Sequence, residues 1–141
     1  MPKMTVDECK QFLVAQVHTA KIATVRDDGR PHVAPIWFDL DGDTLMFTTW
    51  HTTVKANNIR RDPRVCLTVD DEKPPFSFVQ MEGTAALSSD MEALKYWATR
   101  ISGRYMGEAL AESYGKRNAV EGELLVRVTL TKIIGEKNLA S

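Results

Sequence analysis

Residues 21–50 read KIATVRDDGRPHVAPIWFDLDGDTLMFTTW, and this stretch decides the fold class. Two turn segments interrupt it, Asp27-Asp28-Gly29-Arg30 and Asp41-Gly42-Asp43, and each contains a glycine that can supply the positive φ of a tight hairpin. The runs on either side of the turns alternate apolar and polar residues, as strands do. Two consecutive hairpins predict an antiparallel meander with strands at Ile22–Val25, His32–Leu40 and Thr44–Trp50.

Outward from the meander, the sequence predicts three more strands and four helices. Strands are expected at Arg64–Asp70, Phe76–Leu87 and Leu124–Thr131, and helices after Thr5, at Val54–Arg61, after Ser89 and at Tyr105–Tyr114, which ends at Gly115. Gly83, inside one strand, indicates a bulge or a close backbone approach. We therefore expect a mainly β (α+β) single domain over residues 1–141, with six antiparallel strands in a small barrel or curled sheet and flanking helices.

Charge and composition exclude several classes of partner. The chain has 141 residues with 18 Lys+Arg against 19 Asp+Glu, a net charge of −1. Nucleic-acid and anionic-membrane binders need a basic excess that this chain lacks. No apolar run is long enough to span a bilayer, and no signal-peptide core follows the first residues. We expect a cytoplasmic protein with no nucleic-acid or membrane partner.

The usual motifs of hydrolases and metalloenzymes are absent. The sequence has no paired cysteines, no HExxH, no GxSxG and no glycine-rich phosphate loop. His18, His32 and His51 lie far apart, and no nucleophile stands beside any of them. We therefore predict no metal site and assign no catalytic side chain.

The segment from Thr48 to Lys55 has the composition of an anion site. It places four threonines and a lysine where a strand ends and a short helix begins. Helix N-termini carry free N–H groups and a partial positive charge, which disfavours Lys55 there unless an anion binds. In the alternative interpretation the threonines only cap the helix and Lys55 is solvated.

Two further segments each allow two interpretations. Pro35-Ile36-Trp37 could lie along a planar ring, or could mark an edge strand with a buried or interface tryptophan, because proline cannot donate to a sheet. Arg60, Arg61 and Arg64 form the basic cluster of the chain. They could receive an acidic cofactor tail, or could simply complement the dipole at a helix end.

Several segments together resemble a known family, the pyridoxamine-phosphate-oxidase-like split β-barrel proteins, and most closely the branch that uses coenzyme F-420. The resemblance covers most of the chain and rests on Asp28–Phe38, Leu45–Thr49, Lys55–Ile59, Arg61–Val65 and Glu82–Ala85. It implies a homodimer with two cofactor sites at the subunit interface. The implied cofactor-binding residues are His32, Val33, Ala34, Pro35, Ile36 and Trp37 along the ring, Thr48, Thr49, Thr53 and Lys55 at the phosphate, and Asn58, Arg60 and Arg61.

Departures from the family pattern argue against vitamin B6 oxidation. Val54 stands where the oxidases have an arginine before the lysine, and Phe78 stands where they have a glutamine. The Arg- and Trp-containing substrate motif of the oxidases has no counterpart in Leu124–Ser141.

The resemblance therefore implies an oxidoreductase that passes hydride from reduced F-420 to a small unsaturated organic acceptor. One alternative is a reductase or oxidase of the same fold that uses FMN. Another is a non-catalytic carrier of flavin, deazaflavin or haem, in which His32 or His51 would be the haem ligand.

Overall fold

A computed structural model describes residues 2–140 of the chain. Within these residues it has seven strands and four helices. In chain order they are α1 (Val6–Ala15), β1 (Ala20–Val25), β2 (Pro31–Ile36), β3 (Asp39–Asp41), β4 (Thr44–Trp50), α2 (Val54–Arg61), β5 (Arg64–Asp70), β6 (Phe78–Ser88), α3 (Met91–Met106), α4 (Glu108–Asn118) and β7 (Glu123–Glu136).

The strands form one sheet in the order β2-β1-β5-β6-β7-β4-β3, and each neighbouring pair is antiparallel. The α+β class and the antiparallel pairing are confirmed, but the sheet has seven strands instead of the predicted six, and it does not close into a barrel. The sheet is open, with β2 and β3 at its two edges. The single strand predicted over His32–Leu40 is in fact these two short strands.

The break between β2 and β3 occurs at Phe38, where two side chains of α3 bind the backbone. Its backbone N–H donates to the Tyr105 hydroxyl at 3.1 Å, and its carbonyl accepts from the Arg104 guanidinium. Both polar groups of this peptide are therefore satisfied by α3 rather than by a neighbouring strand. The chain consequently leaves β1 after Ile36 and joins β4 from Asp39.

The sheet curls around one hydrophobic core. Side chains from strands near both edges pack there, including Ile22, Leu45, Phe47, Leu67, Val79 and Val128. Helix α1 closes the core with Cys9 and Leu13, and a capping box between Thr5 and Glu8 stabilises its start. Full burial of each large apolar side chain contributes about 1.5–3 kcal/mol, so the core holds the curled sheet in shape.

Helix α3 begins after Ser89 as predicted, but the boundary between α3 and α4 and the end of α4 differ from the prediction. Helix α3 continues to Met106, Gly107 adopts a φ of 94°, and α4 continues through Gly115 instead of ending there. A Cβ on Gly115 would lie 2.1 Å from the Thr99 hydroxyl oxygen. The glycine therefore allows close helix packing and is not a helix stop.

Gly83 combines both features predicted for it. The β6–β7 register shifts between Glu82 and Gly83, and a Cβ at Gly83 would lie 2.4 Å from the Thr129 carbonyl oxygen.

None of the helices within residues 2–140 is long and apolar enough to cross a membrane.

Candidate functional site

A cleft of about 370 Å³ opens between the ends of β2 and β4, the start of α2 and one face of α3. This volume falls within the range of small-molecule sites. The cleft brings together five of the predicted cofactor residues, Pro35, Ile36, Trp37, Thr48 and Lys55. The remaining lining residues are Thr19, Ala98, Ile101, Ser102, Asn118 and Glu123.

Lys55 lies in the first turn of α2, which contains no acidic residue. Burial lowers the pKa of its ammonium group, and the Glu123 carboxylate offsets this shift only in part. None of the ion pairs within residues 2–140 involves Lys55. A half-buried cation at a helix N-terminus is electrostatically suited to an anionic ligand.

Glu123 is a cleft residue that the sequence analysis missed. It opens β7 and shares a sheet face with Thr48 of β4, whose hydrogen bond to the Glu123 carboxylate stabilises the charged form. Burial nevertheless raises the pKa of Glu123, against this hydrogen bond and the charge of Lys55. The contact depends on β4–β7 pairing across some 70 residues, and no local pattern indicates it.

The opposite wall of the cleft is flat and aromatic. The indole of Trp37 stacks on the ring of Tyr105, and Pro35 and Ile36 continue this wall along β2. The Tyr105 hydroxyl is engaged in hydrogen bonds to backbone groups, and burial raises its pKa. Tyr105 therefore packs α3 against the backbone at His18 and Phe38, and through Trp37 it also supports the wall.

Ser102 is the second cleft residue that the sequence analysis missed. It lies on α3 and is only 1% exposed, yet its hydroxyl has no hydrogen-bond partner. Buried polar groups are nearly always hydrogen-bonded, so this hydroxyl retains an unused hydrogen-bonding capacity next to the cleft.

Thr49 and Thr53 do not line the cleft. Because neighbouring residues of a strand point to opposite faces, Thr49 faces away from Thr48, and its hydroxyl lies 2.8 Å from the hydroxyl of Thr53. The Thr53 hydroxyl accepts from the Ala56 N–H and donates to the Trp50 carbonyl. These two threonines shape the turn into α2, as the helix-cap interpretation predicted.

Asn58 and Arg61 hold α2 against β1, outside the cleft. Asn58 is buried and donates to the Thr24 hydroxyl at 3.0 Å, while Arg61 donates to the Val25 carbonyl and to the Asn58 side-chain oxygen. The family resemblance implied a cofactor-binding role for these two residues, and the structure places them in contacts between α2 and β1.

The other two members of the basic cluster are exposed, Arg60 near the end of α2 and Arg64 at the start of β5. Arg60 donates to the Asn57 side chain at 2.8 Å. Arg64 is paired within the chain, since its hydrogen bonds hold the pKa of Asp62 at about 2. Arg60 makes one side-chain hydrogen bond and Arg64 makes two, so Arg60 is the less firmly held of these two arginines.

His32, Val33 and Ala34 lie on β2, which is the edge strand that the proline indicated. Val33 is 66% exposed, while the His32 ring nitrogen Nδ1 is buried without a hydrogen-bond partner. His51, the other candidate haem ligand, has its Nδ1 3.0 Å from the Gly122 carbonyl oxygen.

No group of three or more His, Cys, Asp or Glu side chains among residues 2–140 is placed to hold a metal ion.

Taken together, the cleft fits a ligand with an anionic end and a flat, largely apolar body. Lys55, with Thr48 beside it, supplies charge and a hydroxyl at one end, and the Trp37 wall supplies a planar surface. The Ser102 hydroxyl, which has no partner within the chain, is one further polar group at the cleft. A phosphate-bearing flavin or deazaflavin has this combination of groups.

Comparison with known proteins finds one family that matches most of the chain. The pyridoxamine 5'-phosphate oxidase family matches residues 5–135. A pyridoxine/pyridoxamine 5'-phosphate oxidase of Myxococcus xanthus is 30% identical over 123 residues, which cover 86% of this chain but only 59% of the relative. The chain thus spans little more than half the length of that oxidase.

Similarity extends to proteins named for F-420. A biliverdin reductase of Mycobacterium tuberculosis, named as dependent on reduced F-420, is 30% identical over 102 residues, covering 70% of this chain and 71% of the relative. An F-420 reductase structure superposes with a TM-score of 0.68 at 25% identity and covers 87% of this chain and 94% of its own. A conserved hypothetical protein from M. tuberculosis gives a TM-score of 0.79 at 25% identity, with coverages of 92% and 82%.

Proposed function

Since the chain belongs to the pyridoxamine 5'-phosphate oxidase family, we propose that it is an oxidoreductase that uses reduced F-420 to transfer hydride to a small unsaturated organic acceptor. One observation carries the proposal. The half-buried, unpaired Lys55 and the flat Pro35-Ile36-Trp37 wall lie in the same cleft, so one molecule can occupy both. The similarity to proteins named for F-420 supports the choice of cofactor.

The chain's own residues bind and orient the cofactor. Lys55 would neutralise the phosphate, and the Thr48 hydroxyl would turn from Glu123 to donate to it. Trp37, held by Tyr105, would keep the ring in one plane and exclude water from one of its faces. Hydride transfer is chemistry that the bound cofactor supplies, which explains why no acid–base constellation is needed in the cleft.

FMN is the second candidate cofactor. It is favoured by the likeness to a pyridoxine/pyridoxamine 5'-phosphate oxidase, although that protein is much longer than this chain. Val54 and Phe78 depart from the oxidase pattern and argue against vitamin B6 as the substrate. An FMN-dependent activity would therefore act on another substrate.

We also propose that the functional unit is a homodimer with the cofactor sites at the interface. Exposed apolar side chains around the cleft and on edge strand β2 support this arrangement: Trp37 is 40% exposed, and Val33, Trp50 and Val54 are exposed as well. Arg60, at the free end of α2, would then be available to an acidic cofactor tail. Sedimentation equilibrium with and without cofactor tests the stoichiometry. A monomer under both conditions would contradict it.

Parallel titrations of the purified protein with F-420 and FMN test the choice of cofactor. We expect saturable one-per-chain binding of F-420 and oxidation of the reduced form when quinones or enones are added. Tight FMN binding without F-420 binding would replace the first candidate with the second. Binding without turnover of any acceptor, or with NADPH or dithionite, would favour a carrier.

A further inference from the structure

The unpartnered hydroxyl of Ser102 lies in a position that favours a hydrogen bond to its own helix. A serine within a helix commonly donates to the carbonyl four residues earlier, which here is Ala98. In this structure the Ser102 hydroxyl makes no such bond and has no other partner. Leaving a buried hydroxyl unsatisfied costs about 1–3 kcal/mol, whereas alanine would fill nearly the same space without that cost.

The position of Ser102 along α3 indicates which part of the cleft it lies next to. Tyr105 lies three residues further along, so both side chains project from the same side of the helix. The Tyr105 ring stacks on Trp37, which places Ser102 beside the aromatic wall. Lys55, Thr48 and Glu123 come from α2, β4 and β7 and form the charged part of the cleft.

We propose that the Ser102 hydroxyl forms a hydrogen bond with a carbonyl or N–H group on the edge of the cofactor's heterocyclic ring. This inference rests on the proposed function and assigns α3 a part in ring recognition. Flavin and 5-deazaflavin rings share a pyrimidine-dione edge with two carbonyls and one N–H. A hydroxyl can donate to the former or accept from the latter. Ser102 is thus a binding residue for the ring, independent of the phosphate.

Ligands with and without phosphate separate the ring contact from the phosphate contact. Dissociation constants are measured for wild type and Ser102→Ala with FMN, riboflavin, F-420 and the phosphate-free 8-hydroxy-5-deazaflavin. One neutral hydrogen bond corresponds to an affinity loss of about 3- to 10-fold. We expect this loss for all four ligands, together with a shifted absorption maximum of the bound chromophore.

Two controls separate ligand binding from stability. Ser113→Ala removes a serine hydroxyl from α4 that donates to the Leu110 carbonyl, away from the cleft, and should leave all four affinities unchanged. The thermal midpoint of ligand-free Ser102→Ala should equal or exceed that of wild type, because no internal hydrogen bond is lost. Ser102→Cys, whose thiol is larger than the hydroxyl and donates only weakly, should show an intermediate affinity loss.

The possible failures are distinguishable. Equal affinities in wild type and Ser102→Ala would overturn the ring contact while leaving the proposed function intact. A loss confined to the phosphate-bearing ligands would also overturn it, since the hydroxyl would then serve the phosphate. Wild type that binds none of the four ligands would overturn the proposed function, and the ring contact with it.

Discussion

The indole of Trp37 lies parallel to the phenol ring of Tyr105, with ring centroids 4.8 Å apart and ring planes inclined by only 2°. The Tyr105 hydroxyl donates to the His18 carbonyl at 2.6 Å and accepts from the Phe38 N–H at 3.1 Å. One side chain of α3 therefore fixes the residues before β1, the break after β2 and the wall of the cleft. Stacked aromatic pairs contribute about 0.5–1.5 kcal/mol beyond their area burial.

Tyr105→Phe is expected to lower the free energy of unfolding by about 1–3 kcal/mol, because it leaves the Phe38 N–H and the His18 carbonyl without this partner. The stack on Trp37 can persist, so the measurement isolates the hydroxyl. Urea denaturation followed by tryptophan fluorescence reports the change. The matched variant Tyr114→Phe keeps the ring that contacts Arg117 and should change stability by less than about 0.5 kcal/mol. Equal effects of the two variants would contradict the bridging role of Tyr105.

Lys55→Ala should weaken binding of phosphate-bearing cofactors by about 1.5–3 kcal/mol, the scale of a charge-assisted hydrogen bond. Riboflavin, which lacks the phosphate, should bind the variant as well as it binds wild type. Fluorescence titration gives both constants. Lys116→Ala, which removes an exposed lysine paired with Glu112, serves as the control and should leave both unchanged. Unaltered FMN affinity in Lys55→Ala would mean that the phosphate binds elsewhere.

Glu123→Gln should stabilise the ligand-free protein at neutral and alkaline pH. Burial raises the folded-state pKa of this carboxyl above its ordinary value of 4.5, so the folded protein holds the proton more tightly than the unfolded chain. Wild-type stability therefore falls as pH rises from that value through the folded pKa, and the glutamine variant lacks this loss. Urea unfolding at pH 4, 6 and 8 should show a difference that grows with pH. A difference independent of pH would contradict this ionisation effect.

The same substitution should strengthen FMN binding above the pKa of Glu123. An ionised carboxylate beside Lys55 repels the incoming phosphate, and glutamine removes that repulsion while keeping nearly the same shape. Below the pKa the two proteins should bind FMN alike. Titrations across the same pH series test this, and weaker binding by the variant at pH 8 would contradict it.

The sequence predicted those parts of the fold that local patterns determine. Both hairpins follow from Gly29 and Gly42, each of which has a positive φ, and the Gly83 bulge follows from a glycine inside a strand. The break between β2 and β3 could not be predicted in this way. It depends on Arg104 and Tyr105, which lie 66 and 67 residues away from Phe38 in the chain.

The candidate site also contains residues that local sequence patterns indicate and residues that only long-range contacts bring in. Lys55 and Pro35-Ile36-Trp37 were singled out because a lysine at a helix start and a proline in a strand are unusual locally. Glu123 and Ser102 have ordinary local contexts, and only the β4–β7 pairing and the docking of α3 bring them to the cleft. Strand alternation alone, in contrast, already predicts that Thr48 and Thr49 face opposite sides of β4.

A crystal structure of the protein with F-420 or FMN bound tests the central claim most directly. We expect the phosphate oxygens within hydrogen-bond distance, about 2.7–3.2 Å, of Lys55 Nζ and Thr48 Oγ1, with the ring along Pro35-Ile36-Trp37. A phosphate bound at Arg60 and Arg64, or a ring on the outer sheet face beside Cys66, would contradict this account of the cleft.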